Sequence, residues 1–224
     1  RRIHKAYCRD LDVCTVFAEA ILNLTPWKMW DLKTGLSAEG AGTAEAQLVL
    51  ETAFEECSEA WEHPGLLHLY IHLMEMSPFP QKALRAGDCL RELVPDAGHL
   101  IHMPTHIDVL CGQYSDVVVY NQKAIAADRK FLAEAGAMNV YSLYRTHDHH
   151  FVIYGAMFLG QYGPAIQAAQ ELIDTTPDEL LRVESPPMAD FIEGYLPMKQ
   201  HVLIRFGKWE EILTQKLPED QVLY

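Results

Sequence analysis

The strongest constraint on the fold is a turn signal that occurs three times. A glycine, one further residue and an aromatic ring appear as Gly112-Gln113-Tyr114, Gly160-Gln161-Tyr162 and Gly207-Lys208-Trp209, with the glycines 48 and 47 residues apart. A second mark is a proline that closes a helical stretch, in Leu93-Val94-Pro95 and Thr175-Thr176-Pro177, with Ala83 and Ala165 twelve residues earlier. Such self-similarity is the signature of stacked structural repeats, and a small residue at a fixed place suits two helices that pack closely. Between the marks, apolar residues recur at helical spacing and strand-like alternation is scarce. The expected fold is all-α: a tetratricopeptide-like α-α superhelical repeat, a solenoid of helix hairpins, forming a single domain over residues 1–224.

The spacing predicts helices over 9–24, 43–58, 64–76, 79–93, 98–112, 115–133, 139–161, 163–175, 188–206 and 208–215, with Pro, Gly or Asn at the breaks. The stretch 31–42 is rich in Gly and Ser and reads as a mobile loop. A net charge of −13 and no run of Lys or Arg argue against binding nucleic acid or an anionic membrane. No apolar stretch reaches the ~18–20 residues of a membrane span. Five dispersed cysteines, an odd number without C-x-x-C, read as reduced core thiols and fit a cytoplasmic protein. The chain begins Arg1-Arg2 rather than with Met, so a fragment or processed form lacking an N-terminal segment is expected.

Nine of the eleven histidines lie between residues 63 and 150, in three clusters. They are His63, His68 and His72; His99, His102 and His106; and His147, His149 and His150. His68/His72 and His102/His106 are each four apart, which puts both rings on one helix face. The repeat marks align these clusters. A shift of 82, from Pro95 to Pro177, carries His68 onto His150 and His72 onto Tyr154. A shift of 48, from Gly112 to Gly160, carries His102 onto His150, His106 onto Tyr154 and His99 onto His147. Three rows result: His68, His102 and His150; His72, His106, Tyr154 and His201; and His99 with His147. All fall on the first helix of a unit, the one that lines the groove in tetratricopeptide arrays.

Residues 63–72 (H-P-G-L-L-H-L-Y-I-H), 98–107 (G-H-L-I-H-M-P-T-H-I) and 147–151 (H-D-H-H-F), with Leu24-Thr25-Pro26-Trp27 and Trp30-Asp31, resemble a group of bacterial and fungal tetratricopeptide-type proteins. That group carries H-P-G-x-x-H-x-x-I-H, G-H-L-x-H-M-P-[ST]-H-I and H-N-x-H-F. The resemblance covers residues 10–175 and implies a helical-repeat fold. Asp148 departs from it, standing where the group usually has Asn, which reads either as a carboxylate added near the site or as a solvated position.

Six histidines match the motifs and face the expected groove: His68, His72, His102, His106, His147 and His150. Imidazole is the common side-chain ligand of Cu, Zn, Fe and Ni. Many imidazoles and few carboxylates favour copper, in one site or a dinuclear pair; iron follows if Asp148, Asp108 or Glu75 joins, and zinc is the third choice. Tyr154, standing in a histidine row, reads as a proton donor or substrate contact. The activity expected is a metal-dependent oxidoreductase or oxygenase acting on a small molecule with O2. The competing readings are a non-catalytic module that grips a peptide or protein partner, and a zinc hydrolase. His63 before Pro64 reads as a helix-entry residue, and His149 as packing. His99 and His201 stay outside the ligand set. Pro104 either kinks the helix or starts it. Arg145 reads as a surface ion pair or a substrate contact. Motifs for nucleophilic catalysis, phosphate binding and H-E-x-x-H are absent from the sequence.

Overall fold

The computed structural model describes residues 1–215. Among them every regular element is helical, with fourteen α-helices and three 3-10 helices. Most expected helices are present within a few residues of their predicted ends. The long 188–206 stretch differs, because it breaks into Met188–Ile192, the 3-10 helix Glu193–Tyr195 and Met198–Arg205. Pro197 sits at that last break, where a ring without an N–H ends one helix and is tolerated before the next. The 31–42 stretch is organised as a turn: Asp31 Oδ1 accepts from the backbone N–H groups of Lys33 and Thr34 at 2.8 and 3.2 Å. An isolated bridge between Trp30 and Ser37 closes it.

The three glycine marks stand at helix ends. Gly112, Gly160 and Gly207 adopt φ of 78°, 69° and 67°, the left-handed conformation that glycine takes without steric cost, and each separates two helices. Ala83 and Ala165 are both fully buried. No helix among the described residues is long and apolar enough to cross a membrane. The five cysteines are unpaired, and only Cys14 is buried.

The chain divides into two compact units, residues 1–95 with 103–112 and residues 96–102 with 113 onward. In the first, Pro64–Glu75 packs against Leu11–Leu22, Leu84–Leu90 and Pro104–Cys111. Leu66, Leu67, Ile71, Leu73, Leu90 and Ile107 are essentially inaccessible there. In the second, Ser142–Phe158 packs between Tyr114–Ala135 and Tyr162–Asp174, and Gly98–His102 lies against the first two. Val152, Ile153, Ala165, Leu172 and Val202 form its core. Each fully buried aliphatic side chain contributes about 1.5–3 kcal/mol relative to exposure.

Candidate metal centre

The H-P-G motif starts a helix. His63 is the N-cap of Pro64–Glu75: its Nδ1 accepts from the Leu66 N–H at 3.2 Å, so its Nε2–H donates to Asp12 at 3.1 Å. Pro64 occupies the first helical position, where its missing N–H costs nothing. A Cβ on Gly65 would lie 2.7 Å from Thr15 Cγ2, so glycine is what lets the helix start approach Leu11–Leu22. His63 is thereby a helix-entry residue.

One turn beyond, His68 and His72 stand edge to face, with ring centroids 4.6 Å apart. His72 lies 6.2 Å from the His106 ring. A carboxylate joins them: Glu75 Oε1 is 2.9 Å from His72 Nδ1, and Glu75 Oε2 is 2.6 Å from His106 Nδ1. Burial works to raise the Glu75 carboxyl, but the hydrogen bonds from His106 and then His72 outweigh it and bring it down to about 2. An ionised carboxylate can only accept, so both Nδ1 atoms carry a proton and point it at Glu75. This is the carboxylate–histidine arrangement that orients an imidazole toward a metal.

In the second unit His102 is fully buried, and its Nδ1 is 2.6 Å from Asn121 Oδ1. Asn121 Nδ2 donates to the Val117 carbonyl at 2.7 Å, which fixes the amide with its oxygen toward the ring. His102 Nδ1 is therefore the protonated nitrogen. Asp148 Oδ1 lies 3.3 Å from the same Nδ1, but the shorter bond to Asn121 takes the proton. The His102 and His147 rings are 4.8 Å apart, and Phe151 packs edge-on against both. Tyr195, from the 3-10 helix Glu193–Tyr195, places its hydroxyl 3.3 Å from His147 Nδ1.

The G-H-L-I-H motif is also explained locally. A Cβ on Gly98 would fall 2.0 Å from Asp128 Oδ1, so only glycine admits the close approach to Tyr114–Ala135. Tyr141 donates to Asp128 Oδ1 at 2.8 Å and accepts the His99 N–H at 3.3 Å. Tyr144 packs against the His99 ring at 4.6 Å. Pro104 begins Pro104–Cys111 while Met103 keeps helical dihedrals (φ −51°, ψ −42°), so the proline occupies the first turn of a new helix.

Within each unit three histidines that could serve as metal ligands lie close together: His68, His72 and His106 around Glu75 in the first, and His99, His102 and His147 in the second, with ring centroids 6.1 Å (His99–His102) and 4.8 Å (His102–His147) apart. Of the six histidines expected as ligands, five fall in these groups and His150 does not. His150 lies 6.1 Å from the His147 ring and 5.2 Å from Tyr195, with burial and then His201 lowering its basicity. His99, left out of the expected set, is included. Tyr154 stands 6.2 Å from His150 and 4.8 Å from Phe158, and is 39% exposed.

The carboxylates have other tasks. Both Asp108 oxygens accept from Arg91, at 2.7 and 2.6 Å. Asp148 is fully buried rather than solvated; burial and then the neighbouring Asp128 push its carboxyl well above the usual carboxylate range. Arg145, expected at the surface, is 3% exposed and holds the Thr175 hydroxyl and carbonyl. His149 is buried and donates from Nδ1 to the Arg145 carbonyl at 2.8 Å. The sequence named Glu75 only as an optional iron ligand, not as a partner of two histidines, and did not single out Asn121 or Tyr195. Only Glu75 left a trace there, one turn after His72 on the same helix.

The chain matches no protein-family model, no curated protein and no solved structure.

Proposed function

We propose that this chain is a transition-metal protein built on a tetratricopeptide-like scaffold, and that copper is its metal. The carrying observation is Glu75, whose two oxygens hold Nδ1 of His72 and of His106. That arrangement spends the nearest carboxylate on orienting ligands and leaves a donor set of imidazole nitrogens, with His102 oriented in the same sense by Asn121. Nitrogen-only donors suit copper, then zinc, better than a carboxylate-bridged di-iron centre. Two histidine groups suit a pair of ions.

Copper held by these histidines supplies one-electron redox chemistry and affinity for O2, which makes a metal-dependent oxidoreductase or oxygenase the activity we infer. The protein's own part is to present the imidazoles in one tautomer, to keep the His102 side dry with Phe151, and to place protic groups nearby. Tyr195 hydrogen-bonds His147, and Tyr154, beside His150, is the residue we assign to substrate contact or proton donation. The substrate class is a small molecule. An odd number of cysteines without C-x-x-C supports a cytoplasmic setting.

The test is the double substitution His68→Ala with His102→Ala, which removes one ligand from each group. Copper affinity, measured by competition with a chromophoric chelator, should fall at least ~100-fold. An affinity equal to that of the wild type, or a wild-type chain whose thermal stability ignores both copper and EDTA, would instead favour a module that grips a peptide.

A further inference from the structure

Two of the five cysteines are brought together by a turn. Residues 7–14 fold back on themselves: Asp10 N–H donates to the Tyr7 carbonyl at 3.1 Å, and Cys14 N–H to the Asp10 carbonyl at 2.9 Å as the helix Leu11–Leu22 begins. Asp10 Oδ1 caps that start by accepting from Val13 N–H at 3.0 Å. The Cys14 thiol then donates to the carbonyl oxygen of Cys8, its sulfur 3.3 Å away. Standard backbone lengths put that sulfur within about 6 Å of Cys8 Cα, so rotation of the Cys8 side chain and a small shift of the turn suffice to close a disulfide.

The two thiols differ in access. Cys8 is exposed, in the turn ahead of the helix. Cys14 is 2% exposed and heads the buried stripe of Cys14, Ala18, Ile21 and Leu22. Burial, then Cys8 and Asp10, raise the Cys14 thiol, which makes it a poor first target for an oxidant. An oxidant meets Cys8 first, and Cys14 stands beside it to resolve the product.

We infer that Cys8 and Cys14 are a peroxide-responsive thiol pair. The Cys8 thiolate attacks one oxygen of hydrogen peroxide and breaks the O–O bond; Cys8 becomes a sulfenic acid, and hydroxide leaves and takes up the thiol proton as water. The Cys14 sulfur then attacks the Cys8 sulfur, a second water leaves, and the disulfide is formed. Two thiols are oxidised and one peroxide is reduced. The cross-link fixes the start of Leu11–Leu22, whose Asp12 accepts from His63 at the cap of the histidine-bearing helix Pro64–Glu75. Thiol pairs of this kind in a reducing compartment serve as transient redox sensors. The inference stands without the metal reading.

The full chain, kept metal-free so that metal-catalysed thiol oxidation does not contribute, is treated with hydrogen peroxide and digested with trypsin without reduction. Trypsin cuts after Arg9, inside the closed loop, so the disulfide joins peptide 6–9 to peptide 10–28. We expect that linked pair as the main product, and its disappearance on reduction. Cys8→Ser, at an exposed position, should leave Cys14 unmodified. Cys14→Ser should hold Cys8 as the sulfenic acid, with dimedone labelling about tenfold above wild type, because the intramolecular attack that outruns the trap is gone. Equal dimedone labelling of Cys8 in wild type and Cys14→Ser overturns the inference, as does a product in which Cys8 pairs with Cys57, Cys89 or Cys111. Oxidation of Cys14 in Cys8→Ser at the wild-type rate overturns it too. The wild-type product and the Cys8→Ser result are read with Cys14 in place, so they decide the matter whether or not Cys14→Ser folds.

Discussion

The two units orient their histidines with different chemistry. In the unit of residues 1–95 and 103–112, His72 and His106 share the ionised carboxylate of Glu75, and His72 keeps 23% of its side chain exposed. In the unit of residues 96–102 and 113 onward, His102 is inaccessible and bonded to a neutral amide, while burial raises the carboxyl of the nearby Asp148. A carboxylate partner makes an imidazole a more basic, more electron-donating ligand; an amide orients it without adding charge. One sequence pattern, His-x-x-x-His, therefore yields two electrostatic environments. The difference lies in residues on neighbouring turns and helices, and it predicts tighter binding of a dication on the Glu75 side.

The substitution that should disturb this contrast most is Glu75→Gln. The amide offers one acceptor and turns an N–H toward a second imidazole N–H, so one histidine must change tautomer or lose its bond. Metal affinity on that side should fall ~10–100-fold, read by calorimetry. Stability also follows. The Glu75 carboxyl is depressed to about 2, so its contribution is present above the unfolded value near 4.3 and is lost as pH falls through the folded value. The wild type should exceed the variant by about 2–3 kcal/mol at pH 7 in urea unfolding, and the gap should close toward pH 2. A gap that persists at low pH would break the comparison.

Next in size is Asn121→Leu, which leaves the buried His102 Nδ1–H without its acceptor. The cost should be about 1–3 kcal/mol in the same assay, with histidine NMR showing the other His102 tautomer.

Asp148→Asn should act in the opposite direction. The Asp148 carboxyl is raised by burial and Asp128, so its contribution is fully present below the unfolded value near 3.9 and is lost as pH rises through the raised folded value. The amide does not ionise. It should therefore stabilise the metal-free protein by about 1 kcal/mol at pH 8 and by less at pH 4. A variant with no pH-dependent difference would show that Asp148 ionises without penalty.

The smallest effect is expected at His150. His150→Ala should leave metal stoichiometry unchanged, whereas His99→Ala should cost one group most of its affinity. The reverse result would restore the row alignment over the geometry.

Much of this was legible in the sequence because it is local. Glycines 112, 160 and 207 mark helix ends since a left-handed turn needs them, and residues four apart share a helix face whatever packs against it. His63 was readable for the same reason, as a helix-entry residue, whereas Pro104 read equally as a kink or a start and is placed in the first turn by the structure. What lay beyond reach depends on how helices rotate against one another. Row alignment puts His99 and His147 in one row and His150 in another, but which turn faces a neighbouring helix is settled by local packing, as at Gly98, whose missing Cβ admits Asp128 at close range. Asn121 and Tyr195 come from segments far from the motifs and carry no periodic signal. Asp148 read equally as solvated or as added to the site, because burial on Ser142–Phe158 is set by packing against Tyr114–Ala135 and not by its own neighbours in sequence.

The most direct test of the central claim is metal content. The chain, purified without chelators, is offered Cu(II), Fe(II) or Zn(II) separately, desalted and analysed by inductively coupled plasma mass spectrometry. We predict about one to two equivalents of copper per chain, with less zinc and little iron retained. Less than about a few tenths of an equivalent of every metal would contradict the account.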